Sequence, residues 1–473
     1  MIPHLTAFTL DSILHRSGAD YELFRLERVW DGRKEPSAER FDIVFLSTTF
    51  ICERNTLRRA IEWVEERFGD AVLVLGGQYS NLKYVELLER EEGIDYVVRG
   101  DGERAIPGLL AALSGRLPLK EVPNLAFRDD RGVCVTTGFE YIDIDEHPSP
   151  SFPGTAPVVP YESMRGCPFS CKFCSFPFAS PKWRYKSAAK IAGDWKRYSV
   201  ENGATHIRAM DSTFTVPYRR LRELLELLPS VGVEWEAYSR ANNLKDEAMI
   251  EALEAAGCRR LSIGFESMSE RTLGLMNKLV KAEENRRALD LLLGSDISYR
   301  ISVMVGYPGE RCEDYEETHR FLVEEYSGHF MLSVFSFLDE TMPVWADADR
   351  FQLEITDPEN PDYSWRHAGM DIEQAKSLMR RTLDEARARS ERSQVLLWQF
   401  DYETPLVPGL SKEVDLRLEK LVDRLGMAPR DHGGARSAAP AIRSLLGELG
   451  EFDIRLQADE PDAAAIATAA GHG

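Results

Sequence analysis

The 473-residue chain lacks the marks of several large protein classes. No uninterrupted apolar run reaches about 18 residues, the length a helix needs to cross a bilayer, so no membrane span is expected. The opening residues, Met1-Ile-Pro-His-Leu5, have no basic region followed by an apolar one, and no secretory signal is read there. Positive charge is scarce. Lys and Arg total 58 against 78 Asp and Glu, a net charge of −20, which ill suits a phosphate backbone and argues against nucleic acid as a partner. Cysteine is sparse and odd in number. Seven residues, three of them clustered, fit a reducing, cytoplasmic setting better than a disulfide scaffold. The other four, Cys52, Cys134, Cys258 and Cys312, are scattered and read as small buried hydrophobes. Internal repeats are absent. What remains is an ordinary soluble composition, 43% hydrophobic and 29% charged. A chain of this length exceeds one core and predicts about two to three domains.

The clustered thiols lie in Arg165-Gly-Cys-Pro-Phe-Ser-Cys-Lys-Phe-Cys-Ser-Phe176, which spaces Cys167, Cys171 and Cys174 as C-x₃-C-x₂-C. Three soft ligands this close can face one iron–sulfur cluster. A 4Fe–4S cube held by three cysteines leaves one iron open, and an open position suits chemistry rather than scaffolding. A zinc knuckle would want a fourth ligand nearby, yet neither His nor Cys follows Cys174 closely.

Along the chain, 41–47, 71–77 and 95–100 read as strands, alternating with helical patterns at 54–68, 82–92 and 105–113. That rhythm predicts a doubly wound, Rossmann- or flavodoxin-like parallel sheet over 1–118, whose ligands would sit beyond the carboxyl ends of its strands. Ser47, Thr48, Gly76, Gly77, Gly100 and Gly102 stand at those ends, and plain tight turns explain the glycines equally well. Residues 119–157 form a Pro-punctuated connector with a small hairpin. From 158 to 340 six further strand–helix units predict a partial (β/α)6 TIM-like barrel, with the cysteine run just after its first strand. Residues 341–426 read as a mainly helical cap, with a capping-box start at Asp371. Residues 427–473 read as a flexible linker over 427–439, a short helix and a disordered tail.

The cysteine run resembles the signature of the radical S-adenosylmethionine (SAM) enzymes. The resemblance continues through Asp211-Ser-Thr-Phe, Tyr238-Ser-Arg240, 256–267, Met276-Asn-Lys278 and Val305-Gly-Tyr-Pro-Gly-Glu310, covering about 160–320. The N-terminal region is similar to the cobalamin-binding-like domain of one large subgroup. The resemblance implies that SAM chelates the open iron and that a reduced cluster cleaves its C5′–S bond. The 5′-deoxyadenosyl radical then takes hydrogen from a small-molecule or natural-product substrate. It also implies an external one-electron reductant of flavodoxin or ferredoxin type, and cobalamin as a possible further cofactor.

By position, Phe173 would lie against the adenine and Glu266 would hold the ribose or the ammonium. Arg240 would hold the methionyl carboxylate, Asp211 the ammonium or the substrate, and Gly306 would let backbone approach the adenine. For each of these a plain structural role is the competing reading. Lys278 is a further candidate, with solvated surface as its competing reading, and His367, in an aromatic-rich stretch with Trp345, Tyr363, Trp365 and Trp398, reads as a proton donor or acceptor or as packing. The Asp-x-His-x-x-Gly run that ligates cobalamin is absent, His4 and His15 lie in no such context, and the sheet's usual first strand is missing. With cobalamin the expected outcome is C-methylation; without it, rearrangement or ring formation. Two other readings compete: a non-catalytic iron–sulfur redox or electron-transfer protein, and a methylthiotransferase acting on nucleic acid.

Overall fold

The apolar strand runs and the amphipathic segments between them sort into two parallel sheets. The computed structural model describes residues 4–32, 36, 40–51, 54–337, 341–357, 364–395, 410–450 and 452. The N-terminal sheet takes the order β1-β2-β3-β4-β5, with β1 Ile43–Ser47, β2 Val72–Gly76, β3 Tyr96–Val98, β4 Leu125–Arg128 and β5 Cys134–Thr136. The first three strands are parallel, and the helices Arg54–Phe68, Gln78–Arg90 and Gly102–Leu113 cover them. β4 and β5 are antiparallel additions, so the hairpin expected within the connector belongs to the N-terminal sheet, which runs past 118 to Thr136. Tyr96 and Phe127 pair across that junction, which gives the hairpin an apolar edge to join. Helix Leu5–Arg16 precedes β1, and among the described residues no strand pairs with β1 on its outer side.

The second sheet is wholly parallel, in the order β17-β13-β12-β11-β10-β9-β6. Its strands are β6 Val158–Tyr161, β9 His206–Ala209, β10 Glu234–Arg240, β11 Cys258–Glu266, β12 Ser298–Val305, β13 Gly328–Val334 and β17 Ser393–Val395. The first six are the expected units. β17 was not among the expected strands and adds a seventh, paired with β13. The alternation in β12 explains the layering. Tyr299, Ile301, Val303 and Val305 are buried, while Arg300, Ser302 and Met304 between them are only half-buried. The apolar set joins Trp195, Trp235, Phe265 and Phe321 in the main core. Arg300 bonds Ser262 on β11 and Tyr238 on β10, so the opposite face of the sheet is polar.

Two minute strands, β7 Met164–Arg165 and β8 Arg184–Tyr185, pair antiparallel and close the base of the cysteine loop. The cap is less helical than expected. It includes a three-stranded sheet of β14 Glu354–Ile355, β15 Trp365–His367 and β16 Met370–Asp371 beside helix Ile372–Arg389, whose Asp371/Gln374 capping box forms as read. The linker expected over 427–439 is instead helical. Helix Lys412–Asp431 runs through Pro429, and a second helix spans Ala435–Leu449. Only 432–434 break the pair, at Gly433 and Gly434 with positive φ. Ala428 and Ala438 are buried with Leu421 and Leu445, so the alanines that suggested looseness supply helix propensity and close packing. The disordered tail expected beyond 457, Cys52, Tyr363, Trp398 and the boundary near 340 lie outside the described residues. No helix among the described residues is long and apolar enough to cross a membrane.

Candidate functional site

The cysteine loop leaves the carboxyl end of β6 and is held on three sides. Lys172 N–H donates to Met276 O (2.8 Å), and Asn277 Nδ2 donates to Ser170 O (3.0 Å), which ties the loop to the barrel. Val344 N–H donates to Lys172 O (3.0 Å), and Lys172 Nζ pairs with Asp347, which ties it to the cap. From the N-terminal domain Asn81 donates to Ala179 O (2.5 Å), while Asp101 and Glu103 pair with Arg165. The loop is thereby fixed before any ligand arrives.

Cys171 is buried, and Cys167 and Cys174 are half-buried; all three are free thiols. Burial pushes the Cys174 thiol up to about 11, and the neighbouring Cys171, Cys167 and Glu266 charges push it the same way. For Cys174 burial favours the neutral thiol, so a cationic centre would be needed to hold it as a thiolate ligand. Among the described residues no three His, Cys, Asp or Glu side chains are placed to hold a single ion. A cube offers each cysteine a different iron, whereas a zinc knuckle needs its ligands gathered about one ion. The residues present fit a cluster.

Beside the loop, the ends of β10 and β11 bring three charged side chains out of water. Arg240 is buried, with Nη1 3.4 Å from Cys171 Sγ, its guanidinium 3.8 Å over the Phe169 ring, and Nη2 donating to Lys278 O. Glu266 ends β11 with φ of 63°, after a register shift at Gly264, and its Oε1 lies 2.8 Å from Lys278 Nζ. Lys278 is only 4% exposed and lies 5.6 Å from the Phe173 ring, which corrects its reading as solvated surface. An unpaired charge is costly to bury, so the Glu266–Lys278 pair holds both in place next to the cysteines. Arg240 and Glu266 thus lie beside the loop that carries Phe173.

Three other expectations meet a different geometry. Asp211 is buried and accepts from Ser163 N–H (2.7 Å), Ser163 Oγ (2.5 Å) and Met164 N–H (2.9 Å), so its oxygens bracket the start of the loop. Burial raises its pKa, and those bonds oppose the rise. Gly306 has φ of 90°, and a Cβ there would sit 2.5 Å from the Trp365 ring, so its close approach serves the cap. His367 Nδ1 accepts from Gly309 N–H (3.3 Å), Gly369 N–H (3.1 Å) and Met370 N–H (3.4 Å), and its ring stacks on Trp365. Burial lowers its pKa to about 4, so it is neutral near pH 7 and latches the cap to the Gly306–Gly309 turn. Glu310, not singled out in the sequence, is fully buried and pushed up to about 8, with Gly306 N–H donating to Oε2 at 2.7 Å. A glutamate closing a glycine turn was the available signal.

The carboxyl ends of the N-terminal strands look different. Thr48 Oγ1 donates to Gly76 O (2.9 Å) and Ser80 Oγ (2.9 Å), and Ser47 lies 3.1 Å from Thr49 Oγ1. A Cβ on Gly77 would meet Thr49 N at 2.7 Å, and one on Gly100 would meet the Phe139 ring at 2.6 Å. One on Gly102 would meet Ile106 at 3.2 Å. These strand-end residues make close contacts within the chain itself.

The profile of the Radical SAM superfamily matches residues 161–322. An uncharacterized methyltransferase of Pyrococcus horikoshii is 30% identical over 264 residues, 53% of this chain and 57% of that protein. The anaerobic magnesium-protoporphyrin IX monomethyl ester cyclase of Synechocystis is 26% identical over 49% of each chain. This chain therefore spans only about half the length of these curated relatives. Among solved structures, the radical SAM methyltransferase TsrM of Kitasatospora setae, with cobalamin and a 4Fe–4S cluster bound, superposes with a TM-score of 0.66 at 15% identity. That match covers 95% of this chain and 97% of TsrM. The cobalamin-dependent radical enzyme OxsB gives 0.63 at 16%, over 99% and 76%. At these identities the structures speak for the fold alone. The chain thus carries a Radical SAM domain over residues 161–322, set behind an N-terminal parallel sheet in a fold like those of these two structures.

Proposed function

We propose that the chain cleaves SAM reductively and uses the product to take a hydrogen atom from a small-molecule substrate held over the polar face of the barrel sheet. The observation that carries this is the buried Arg240 and Glu266–Lys278 set beside Cys171 at the ends of β10 and β11. When bound, the cluster and SAM supply a primary carbon radical. The chain's residues do the rest. Cys167, Cys171 and Cys174 would hold the cluster, Arg240 offers donors to a carboxylate, Glu266 an acceptor to an ammonium or ribose, and Phe173 a ring for the adenine. Arg300, which donates to both Ser262 and Tyr238, makes with them a polar floor for the substrate. Burial of the site keeps water from the reacting carbon.

The substrate radical resolves by rearrangement or ring formation, or by C-methylation where a bound methylcobalamin supplies the methyl group; the names of the matched relatives include a methyltransferase and a cyclase. The Asp-x-His-x-x-Gly run is absent, so no residue of the chain is assigned as a ligand to cobalamin. The electron comes from a flavodoxin- or ferredoxin-type donor. Anaerobic reconstitution with iron and sulfide, followed by dithionite and SAM, tests the reading. It expects 5′-deoxyadenosine from the native chain and none from Cys→Ala variants, and a reconstituted chain that yields none would sink it. Hydroxocobalamin added in parallel expects no retained corrinoid absorbance, and stoichiometric retention would move the outcome to methyl transfer.

A further inference from the structure

The loop that holds the three cysteines, residues 166–183, is closed at its neck by the β7–β8 pair, in which Arg165 stands directly opposite Arg184. Like charges facing each other across two strands drive the strands apart. Here the neck is also tight: Gly166 has φ of 76°, and a Cβ on it would sit 2.8 Å from the carbonyl oxygens of Ser180 and Lys182. Closure therefore needs counter-charge placed between the two guanidinium groups.

The N-terminal domain supplies it. Asp101, only 4% exposed, receives Arg165 Nη1 at 2.9 Å and Arg184 through Nη1 at 2.6 Å and Nη2 at 3.0 Å. Glu103 takes Arg165 bidentately, at 2.6 Å and 3.0 Å. Glu162, on the barrel side, adds contacts of 3.0 Å and 3.1 Å to Arg165 Nε. Arg184 Nη1 also donates to Ile142 O (2.9 Å), and Ile142 N–H donates back to Asp101 Oδ2 (2.8 Å), so the connector locks the carboxylate in place. Asp101 and Glu103 begin helix Gly102–Leu113 at the carboxyl end of β3, where a ligand would ordinarily be sought.

We propose that Asp101 and Glu103 are positioning residues for the radical chemistry of the barrel: the N-terminal domain clamps the neck of the cluster loop by neutralising Arg165 and Arg184, and so fixes Cys167 and its neighbours against Arg240 and Glu266. The clamp rests on the reading of 166–183 as a cluster loop. It gives the N-terminal sheet a part in catalysis that requires no ligand of its own.

The test uses the full chain, reconstituted anaerobically, as native protein and as Asp101→Asn, Glu103→Gln and the double variant Asp101→Asn/Arg184→Gln. Iron per chain, the EPR spectrum of the dithionite-reduced cluster with and without SAM, and 5′-deoxyadenosine formed per loaded cluster are read for each. A small displacement of reacting groups is enough to lose one to two orders of magnitude, so Asp101→Asn is expected to lower the rate per cluster about tenfold and alter the SAM-induced EPR shift. Glu103→Gln, with Glu162 still on Arg165, is expected to lose about threefold, and removing Arg184 in the double variant to recover most of the loss. A merely structural role would lower the melting temperature and leave the rate and spectrum per loaded cluster unchanged. That result in a folded Asp101→Asn protein overturns the clamp. Should Asp101→Asn not fold, native-like spectra and rates in Glu103→Gln, with no gain in the double variant, overturn it. A native chain that loads four irons but never cleaves SAM would overturn the functional reading instead, while its EPR spectra still report on the clamp.

Discussion

Two sheets present their carboxyl ends near the same loop, and they use them differently. The barrel sheet gathers Arg240, Glu266 and Lys278, charged groups buried beside three thiols. The N-terminal sheet spends its hydroxyls and glycines on its own turns and its carboxylates on the barrel's arginines. The carboxyl end of a parallel sheet is where ligands bind, but position alone makes no site. The difference lies in whether the charged groups there are gathered beside the thiols or spent on arginines across the domain boundary.

Breaking the barrel side carries the largest effect. Cys171→Ala is expected to abolish cluster retention and SAM cleavage together, read as iron per chain and 5′-deoxyadenosine. Lys278→Met would leave Glu266 buried without its partner, expected to cost about 3 kcal/mol of unfolding free energy in denaturant titration. The paired change with Glu266→Gln should cost less, since no charge is then stranded.

The cap latch gives a pH signature. His367 has its folded pKa lowered to about 4 from 6.5, so the fold prefers the neutral ring and the unfolded chain takes up the proton first. Its contribution is complete above pH 6.5 and is lost as pH falls towards 4, up to about 3 kcal/mol. His367→Asn keeps an acceptor for the three amides but does not titrate, and should flatten that acid limb of the stability profile. Glu310 acts oppositely: raised to about 8, it favours the fold while protonated, and that preference fades as pH climbs from 4.5 towards 8.

The smallest effect sharpens the N-terminal side. Phe139→Ala uncovers Gly100 and should cost about 1 kcal/mol. SAM cleavage per loaded cluster is expected to stay at the native value, with no corrinoid retained by absorbance.

Much of this was legible in the sequence because local pattern carries it. The C-x₃-C-x₂-C spacing, the strand–helix rhythm, the Asp371 capping box and the strand-end placement of Arg240 and Glu266 are all short-range. The remainder depended on distant partners. Lys278 reads as an ordinary surface lysine until β11 brings Glu266 to it. His367 reads as a catalytic candidate until three backbone amides converge on Nδ1. Asp211 looks free until Ser163 and Met164 fold back over it. The extent of the two C-terminal helices through 427–439 was hidden by glycine and proline, although Ala428 and Ala438 were the residues that let them pack. Asp101 and Glu103 stood in a motif read as a glycine turn, and their meaning lay more than 60 residues away in Arg165.

The claim at the centre is that three cysteines hold a cluster with one iron open to SAM. Mössbauer spectroscopy of protein reconstituted with isotopically enriched iron, recorded with and without SAM, addresses it directly. A single iron site of a 4Fe–4S cluster should change its isomer shift when SAM is added, the other sites staying as they were. A cluster indifferent to SAM, or a lone thiolate-bound iron, would contradict the account.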